Sequence, residues 1–383
     1  MNFELSDEQV FLREAARDAL GRVDSVAAAR SALEGGALPD LWPTAIQAGW
    51  TGLLVSERHG GAGLGALDAM LVLTEAGRRL ASTGLLGHLP ATALLDAAGF
   101  SAESMRQLAD GSVRAAYVPA RPGGDLNPGW TVEPRSGHRR AEAPRVTRDG
   151  ELAKVTGTVA WIPDAPDADL LVVVGVQDDG TPLAVAVGAV AEGVTVEMGE
   201  SYDATRPLGH VTFDNASGRV LDVGTDELGR AWFLVQALLA AESLGAVEES
   251  LERSVAYAKE RFTFGRAIGS YQAVKHALTE VLRRQENTRS LLYYAGWAHG
   301  AAPAEFALAA SAARVAAGGA LDFAARELIS VHGGIGATWE HDAPLFFRRA
   351  QLSRRLVGGL GDATDRVAEQ LLASARAGAS VAA

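Results

Sequence analysis

Cysteine is absent from the sequence, and so are long apolar runs. Without cysteine, a disulfide framework, a thiolate metal site and a cysteine nucleophile are all excluded. The first residues, Met1-Asn2-Phe3-Glu4-Leu5, carry neither the basic nor the apolar segment of a signal peptide. No stretch of about 18 uncharged apolar residues occurs, so we expect no membrane-spanning helix and a cytoplasmic protein.

Basic residues are scarcer than acidic ones, with 35 Lys and Arg against 47 Asp and Glu and a formal net charge of −12. Nucleic-acid binding needs clustered Lys and Arg, so this balance argues against a nucleic-acid partner. It does not exclude a ligand with a few phosphates, because a few local arginines can hold such a ligand. The 383 residues, 48% of them hydrophobic, are enough for two or three domains with large cores.

The pattern of hydrophobic residues divides the chain into three parts. Residues 1–115 and 223–383 show helical periodicity. Residues 116–222 are rich in Gly, Pro, Val and Thr, and the runs 170–174 and 183–187 are typical of buried strands. The sequence therefore predicts an α+β fold in which a central β-domain separates two helical domains.

Helical periodicity in the last part predicts four long helices, which pack as a bundle. They cover about 228–259, 271–299, 303–331 and 362–377. Residues from 373 onward are small and mixed in polarity, so we expect the end of the chain to fray.

Three motifs stand in order along the chain. The first is Ala48-Gly49-Trp50-Thr51-Gly52-Leu53-Leu54-Val55, which precedes a glycine-rich loop. The second is Arg261-Phe262-Thr263-Phe264-Gly265. The third is His332-Gly333-Gly334-Ile335-Gly336. In sequence, order and spacing these motifs resemble those of acyl-CoA dehydrogenases, and the resemblance extends over essentially the whole chain.

The resemblance implies a flavoprotein that binds FAD and oxidises acyl-CoA thioesters. It assigns neutralisation of the FAD pyrophosphate to Arg261, with a hydroxyl from Thr263 and apolar packing from Phe264. Gly333 and Gly334 would let the backbone approach the ADP portion closely. The cofactor-binding residues expected from the resemblance are Arg261, Thr263, Phe264, Gln272, Ser330, Gly333 and Gly334.

Structural alternatives exist for these residues. Arg261 could cap a helix through its side chain, and the two glycines could end a helix. In the family these motifs usually serve the FAD of a neighbouring subunit, so the resemblance also implies an oligomer. His332 has no His or carboxylate at ligand spacing, so we expect a structural hydrogen-bonding group and no metal site.

Valine occupies both positions at which members of the family carry the catalytic base. Most members have a glutamate after the third motif, and counting from Gly336 places Val357 at that position. A smaller group has it in the helix before the second motif, where this chain has Val235. Valine cannot accept a proton, so no catalytic residue is predicted at either position.

Two contacts to the flavin ring are also missing from the sequence. The family's Tyr-x-x-Thr-Glu-Pro segment matches residues 117–122, in which Ala120 replaces the threonine. The family's Trp-x-Thr/Ser, whose hydroxyl bonds flavin N5, matches Trp161-Ile162-Pro163, and proline has neither a hydroxyl nor a backbone N–H. These losses predict that the flavin site of this chain itself is dead or altered.

This pattern resembles actinobacterial acyl-CoA dehydrogenases of sterol side-chain breakdown, which are α2β2 heterotetramers. In them one subunit supplies the base and the flavin pocket, and the other lends its arginine and glycine motifs across the interface. Asp203-Ala204-Thr205-Arg206 resembles a segment frequent in that subgroup. By this resemblance the chain is the non-catalytic partner of a second acyl-CoA dehydrogenase-like subunit. The expected substrate is an acyl-CoA with a steroid side chain, and the expected electron acceptor is an electron-transfer flavoprotein.

Two other interpretations stay open at this point. Glu242 lies seven residues after Val235, on nearly the same helix face but ~10 Å further along the axis. As a relocated base it would make the chain a self-sufficient homotetrameric enzyme; otherwise it is a buried structural carboxylate. The last interpretation is a binding protein that has this fold and no enzymatic activity.

Overall fold

The computed structural model describes residues 4–119 and 143–381. Its N-terminal helices are α1 (Asp7–Gly21), α2 (Ser25–Ala32), α3 (Trp42–Gln47), α4 (Ala66–Arg78), α5 (Leu85–Ala97) and α6 (Ala102–Ala109). The strands that follow are β1 (Ala115–Val118), β2 (Arg145–Asp149), β3 (Leu152–Pro163), β4 (Leu170–Val176), β5 (Pro182–Gly188), β6 (Val194–Met198) and β7 (Leu208–Leu221). This order confirms the α+β arrangement, whereas the domain limits 1–115, 116–222 and 223–383 stay predictions.

The last part of the chain is helical apart from one small hairpin. Its elements are α7 (Thr225–Glu260), β8 (Phe262–Thr263), β9 (Arg266–Ala267), α8 (Gln272–Ala301), α9 (Pro303–His332), α10 (Ala343–Ser353) and α11 (Gly359–Val381). The four long helices expected here are present as α7, α8, α9 and α11. The sequence analysis missed α10, a fifth helix among the described residues, because its 11 residues are too few for a clear periodic signal. α11 continues to Val381, beyond the helix end expected near residue 377, and fraying of the chain end stays a prediction.

The strands enclose the core of the β-domain. In the described part of the chain, seven strands form one sheet in the order β1-β4-β2-β3-β7-β5, with β6 on β7. β4 also pairs with β5, so five of the strands close into a ring. The predicted strand runs 170–174 and 183–187 are the centres of β4 and β5, which pair antiparallel from Leu170 with Gly188 to Val176 with Pro182. Their central residues are buried, as expected for strands covered on both faces.

Two helices of the C-terminal part pass a length and composition test for membrane spans. Among the described residues these are α7 and α9, whose most apolar 18-residue windows are 94% and 56% buried inside the fold. The long helix α7 packs against α4, α5, α8 and α9. Burial of this kind is what a core helix of a folded bundle shows.

Gly77 of α4 and Gly245 of α7 allow these helices to cross with their backbones in contact. A Cβ on Gly245 would lie 1.8 Å from the carbonyl oxygen of Thr74, and one on Gly77 would lie 1.9 Å from that of Glu242. Only glycine fits at such a crossing. The crossing fixes the part of α7 that carries Glu242.

Replacing Gly245 with alanine is expected to lower the free energy of unfolding by about 1–3 kcal/mol or more, because two helix backbones must move apart. Urea unfolding followed by circular dichroism measures this. Gly229→Ala in the same helix is the matched control, since a Cβ there meets no atom within 4 Å. Alanine is the better helix former, so this control should stabilise by up to about 1 kcal/mol. Equal effects of the two substitutions would contradict the crossing as the cause.

Candidate functional site

Val235 in α7 and Val357 in the loop after α10 lie in one apolar core. Each is 2% exposed, and both belong to the same buried cluster. Gln236 donates from Nε2 to the carbonyl oxygen of Val357 at 3.1 Å, which ties the loop to the helix. Both usual base positions therefore hold aliphatic side chains inside packed protein, where neither can accept a proton.

The loop that carries Val357 has an unusual backbone. Val357 and Gly358 have φ values of 51° and 81°. Left-handed backbone is rare for a β-branched residue and marks a strained position that its surroundings enforce. A Cβ on Gly358 would lie 3.0 Å from the Trp232 ring, so the loop is packed directly onto α7.

Glu242 lies between two arginines rather than facing an open space. Its Oε2 accepts a hydrogen bond from Arg206 Nη2 at 2.7 Å, and its Oε1 accepts one from Arg349 Nη1 at 2.9 Å. A general base needs a lone pair that can reach a substrate proton. Both oxygens of Glu242 are instead engaged by guanidinium groups, which favours the structural carboxylate over the relocated base.

Arg349 extends this buried cluster to all three parts of the chain. Its Nε donates to Thr205 Oγ1 at 2.6 Å, and its Nη2 donates to the carbonyl oxygen of Leu80 at 2.9 Å. Asp203 Oδ2 lies 3.5 Å from Arg349 Nε and 3.6 Å from Arg206 Nε. Burial and then the charge of Arg349 lower the pKa of Arg206. Two arginines therefore face two carboxylates, which is the balance a buried ionic cluster requires.

The end of β3, where the family's flavin-bonding hydroxyl is replaced by Pro163, packs against α5. Asp164 accepts a hydrogen bond from the Gly87 backbone N–H at 2.8 Å, and burial raises the pKa of Asp164. A Cβ on Gly87 would lie 2.9 Å from the Pro163 carbonyl oxygen. The space that Pro163, Asp164, Arg206 and Glu242 help to line has a volume of about 10 Å³. That is room for at most one water, so these side chains are closely packed.

The other flavin-facing segment, residues 117–122, is only partly described. Tyr117 is buried in β1, and within the described ranges its hydroxyl has no hydrogen-bond partner. Burial raises the pKa of Tyr117. The replacements at Ala120 and Arg121 lie outside the described residues, so their effect on flavin binding stays a prediction.

Arg261 ends α7 and begins the exposed β8–β9 hairpin. Its backbone N–H donates to the Tyr257 carbonyl oxygen at 2.9 Å, so the helix end is capped by the backbone and the side chain stays exposed. Thr263 pairs with Arg266, and Phe264, at φ 49°, starts the two-residue turn between them. Phe264 is 95% exposed at the tip of the hairpin. A hairpin that presents an arginine and a phenylalanine in this way is suited to contact something outside the chain.

The C-terminal end of α9 carries the glycine motif. Gly333, at φ 65°, is the C-cap of α9, and a Cβ on Gly333 or Gly334 would meet no atom within 4 Å. The helix-cap alternative therefore holds, and the backbone is also open to a ligand. His332 donates from Nδ1 to the Leu328 carbonyl oxygen at 2.7 Å, the structural role expected of it. Ser330 is exposed on the last turn of the helix.

The structure brings the second and third motifs to one end of the helical bundle. The rings of Tyr257 and His332 have their centroids 4.2 Å apart, so the last turns of α7 and α9 are in contact. The motif residues near these rings are each exposed, and we call this set the cofactor face after the role expected of it. It consists of Arg261, Thr263, Phe264, Gln272, Ser330, Gly333 and Gly334. An accessible arginine, hydroxyl groups and open glycine backbone fit a phosphate-bearing cofactor that approaches from outside.

Sequence reasoning named Glu242 and the segment 203–206 separately but missed their pairing with Arg349. Glu242 and Arg349 are 107 residues apart, and no local pattern connects them. The adjacent arginines Arg348 and Arg349, which follow the third motif in α10, were the available signal, since a buried guanidinium needs a carboxylate. For metals, no group of three or more His, Asp or Glu that could hold an ion occurs within residues 4–119 and 143–381.

The chain has helices before and after a β-domain whose strands close into a ring, together with an exposed cofactor face. This architecture is that of a class of flavoprotein dehydrogenases. Comparisons with known proteins specify the class further. Residues 6–109 match the acyl-CoA dehydrogenase N-terminal domain, and residues 236–372 match the acyl-CoA dehydrogenase C-terminal domain. Acyl-CoA dehydrogenase IpdE2 of Mycolicibacterium smegmatis is 30% identical over 357 residues, which are 92% of this chain and 96% of that protein. The chain therefore belongs to the acyl-CoA dehydrogenase family.

Two solved structures are similar over nearly the whole length. The Tcur3481-Tcur3483 steroid ACAD (G363A variant) superposes with a TM-score of 0.83 at 25% identity, covering 97% of this chain and 99% of that one. The ChsE4-ChsE5 complex from Mycobacterium tuberculosis gives a TM-score of 0.80 at 25% identity, with the same coverage. Both names denote assemblies of two different chains.

Proposed function

We propose that this chain is the non-catalytic subunit of a cytoplasmic, FAD-dependent acyl-CoA dehydrogenase with α2β2 composition. In this complex it completes the FAD site of a second acyl-CoA dehydrogenase-like subunit. The proposal depends on the contrast between the buried base positions and the exposed cofactor face. Val235 and Val357 are packed inside the core, whereas the cofactor face is open to the outside.

The residues of the cofactor face would hold the phosphate and adenosine portions of the partner's FAD. Arg261 would bind the pyrophosphate through its planar guanidinium, and the backbone of Gly333 and Gly334 would lie against the ADP portion. When bound, FAD supplies hydride acceptance from the β-carbon of the acyl group. This chain offers no carboxylate at either usual base position, so removal of the α-proton is assigned to the partner.

The relatives support an acyl-CoA with a steroid-derived acyl group as the substrate. One similar structure is named a steroid ACAD, and another is named as a complex of two chains. We extend both properties to this protein as part of the proposal, with an electron-transfer flavoprotein as the electron acceptor.

Purifying the chain alone and together with a second acyl-CoA dehydrogenase-like chain tests the proposal. The second chain is to be chosen for a glutamate at the position of Val235 or Val357. We expect the chain alone to be colourless or insoluble, and the pair to contain one FAD for each two chains, by absorbance after denaturation. A flavin-loaded chain that oxidises an acyl-CoA by itself would overturn the proposal and favour Glu242 as a relocated base.

A further inference from the structure

A cleft lies between the N-terminal helices and the β-domain. The loop between α2 and α3 bounds it on one side, and the loop between β6 and β7 bounds it on the other. Its volume is about 580 Å³, and the apolar residues that line it include Leu38, Pro39, Met198, Ala204 and Pro207. Clefts of this size are typical of small-molecule sites, so its polar groups decide what it can bind. Because two of these groups are arginines, we call it the arginine cleft.

Arg206 lines the cleft with a side chain that is only 2% exposed. Its Nη2 donates to Glu242 and to Ser353, whereas its Nε and Nη1 have no hydrogen-bond partner among the described residues. Asp203 Oδ2 is 3.6 Å from Nε, which is too far for a hydrogen bond. A buried N–H group without an acceptor is costly, so an oxygen acceptor placed in the cleft would stabilise this side chain.

Arg114 is the second arginine of the cleft, and its side chain is 11% exposed. Its Nε has no hydrogen-bond partner in the part of the chain that the structure describes. Its Nη1 lies 3.9 Å from an Asp40 oxygen and 3.7 Å from an Asp167 oxygen, beyond hydrogen-bond distance. The guanidinium is held by packing, since it lies over the Trp42 ring at 4.8 Å and a Cβ on Gly84 would be 2.5 Å from Nη2.

The two guanidinium groups lie close enough to act on the same buried carboxyl. Burial raises the pKa of Asp164, and the charges of Arg114 and Arg206 both oppose this rise. Ser82, in the turn before α5, lines the cleft beside them. One planar carboxylate has two oxygens and can therefore accept hydrogen bonds from both arginines.

The mouth of the cleft carries the opposite charge. The side chains of Asp40 and Asp167 line it and are 66% and 51% exposed. Two negative charges there repel a ligand with several negative charges, such as a phosphate, more than a ligand with one. The apolar residues of the walls favour a ligand whose remaining part is apolar. Together these features favour an apolar monocarboxylate.

The apolar groove between α7 and α8 provides a comparison within the same chain. Its volume is about 360 Å³, and its charged residues, Lys259 and Lys275, are both exposed. None of the described residues that line this groove has a buried polar side-chain atom without a partner. The groove therefore does not require a particular polar ligand, whereas the arginine cleft has buried donors that do.

We propose that the arginine cleft binds a small monocarboxylate with an apolar body, whose carboxylate oxygens accept hydrogen bonds from Arg206 and Arg114. The site uses none of the residues of the cofactor face, so it is independent of the proposed function. Arg206 is also bonded to Glu242 of α7, so the ligand binds where all three parts of the chain meet. A ligand that binds only the folded chain stabilises it, so hexanoate should also raise the midpoint of thermal unfolding.

Isothermal titration calorimetry of the full chain with hexanoate at neutral pH tests the proposal. The chain is used alone or co-purified with its partner, and hexan-1-ol and inorganic phosphate are the comparison ligands. We expect saturable binding of hexanoate. Hexan-1-ol should bind at least about tenfold more weakly, because hydrogen bonds to a charged group are stronger than those to a neutral one. Phosphate should also bind more weakly than hexanoate, because the two aspartates at the mouth repel it.

Two substitutions with opposite expected effects identify the site. Arg114→Gln should weaken hexanoate binding about tenfold or more, since it removes a charged donor. Asp167→Asn should strengthen it by about two- to fivefold, since it removes a repelling charge at the exposed mouth. Damage to the fold cannot produce tighter binding, so the second variant decides if the first does not fold. Arg106→Gln is the matched control, because Arg106 is exposed and paired with Glu103 outside the cleft.

Three outcomes would overturn the proposal. No saturable binding of hexanoate would show that only water meets the arginine donors. Equal affinity for hexanoate and hexan-1-ol would show an apolar cleft without a carboxylate site, and tighter binding of phosphate would show the wrong class of anion. Hexanoate affinity that is unchanged in both Arg114→Gln and Asp167→Asn would place the binding elsewhere on the chain.

Discussion

Replacing Arg261 with alanine in the assembled complex is expected to weaken FAD binding by about 10- to 150-fold. Hydrogen bonds to charged groups contribute about 1.5–3 kcal/mol, and about 1.4 kcal/mol corresponds to a tenfold change in affinity. Arg261 is exposed on the cofactor face, so its removal leaves the core of this chain intact. Titration of the flavin-free complex with FAD, followed by flavin fluorescence, gives the dissociation constant.

Arg261→Lys separates charge from geometry, because lysine keeps the positive charge but lacks the planar fork that binds two phosphate oxygens. We expect an affinity between those of the unmodified complex and the alanine variant. Arg283→Ala is the control for general loss of positive charge, since Arg283 is exposed on α8 and paired with Glu280. FAD affinity that stays unchanged in Arg261→Ala would contradict the assignment of the pyrophosphate to this residue.

Replacing Glu242 with glutamine is expected to lower the free energy of unfolding of the complex by about 3–5 kcal/mol. That is the usual cost of breaking a buried ion pair, and here Arg206 and Arg349 would each lose one of their two carboxylate partners and keep only Asp203. Turnover per bound flavin should nevertheless stay within about tenfold of the unmodified complex, whereas loss of a true base lowers it by ~10²–10⁴. Urea unfolding and turnover normalised to flavin content measure the two effects separately.

Glu280→Gln is the control for Glu242→Gln. Glu280 is paired with Arg283 and Arg284 on the surface of α8, where solvent screens ion pairs. We expect only a small change in stability and none in turnover. If instead Glu242→Gln leaves a folded, flavin-loaded complex with turnover reduced a hundredfold or more, Glu242 is a catalytic base and the chain is an enzyme in its own right.

The arrangement of the fold could be predicted from the sequence because it depends on local periodicity. Helical spacing, the valine-rich runs 170–174 and 183–187, and their order along the chain were sufficient. The short helix α10 and the full length of α11 were missed, since a short segment and a largely exposed helix end give weak hydrophobic patterns. The motifs also indicated the cofactor face, whose assignment to FAD is a proposal for the Arg261 experiment to test.

Neither the buried cluster around Glu242 nor the apolar groove between α7 and α8 could be predicted, because both form only when separate segments of the chain pack together. Glu242, Arg349 and Thr205 come from three separate segments and meet only in the folded molecule. No sequence pattern distinguishes Lys259 and Lys275, and only the folded structure places both beside the apolar side chains of one groove. The sequence identified valine at both usual base positions, and the structure adds that both side chains are buried in one core.

The packing around Val357 also has an evolutionary consequence. A single change back to glutamate would put a carboxylate into an apolar core, on a backbone that already disfavours a side chain, and burial would oppose its ionisation. Under the proposed division of labour between two subunits, this cost in stability opposes the return of a base to the present chain.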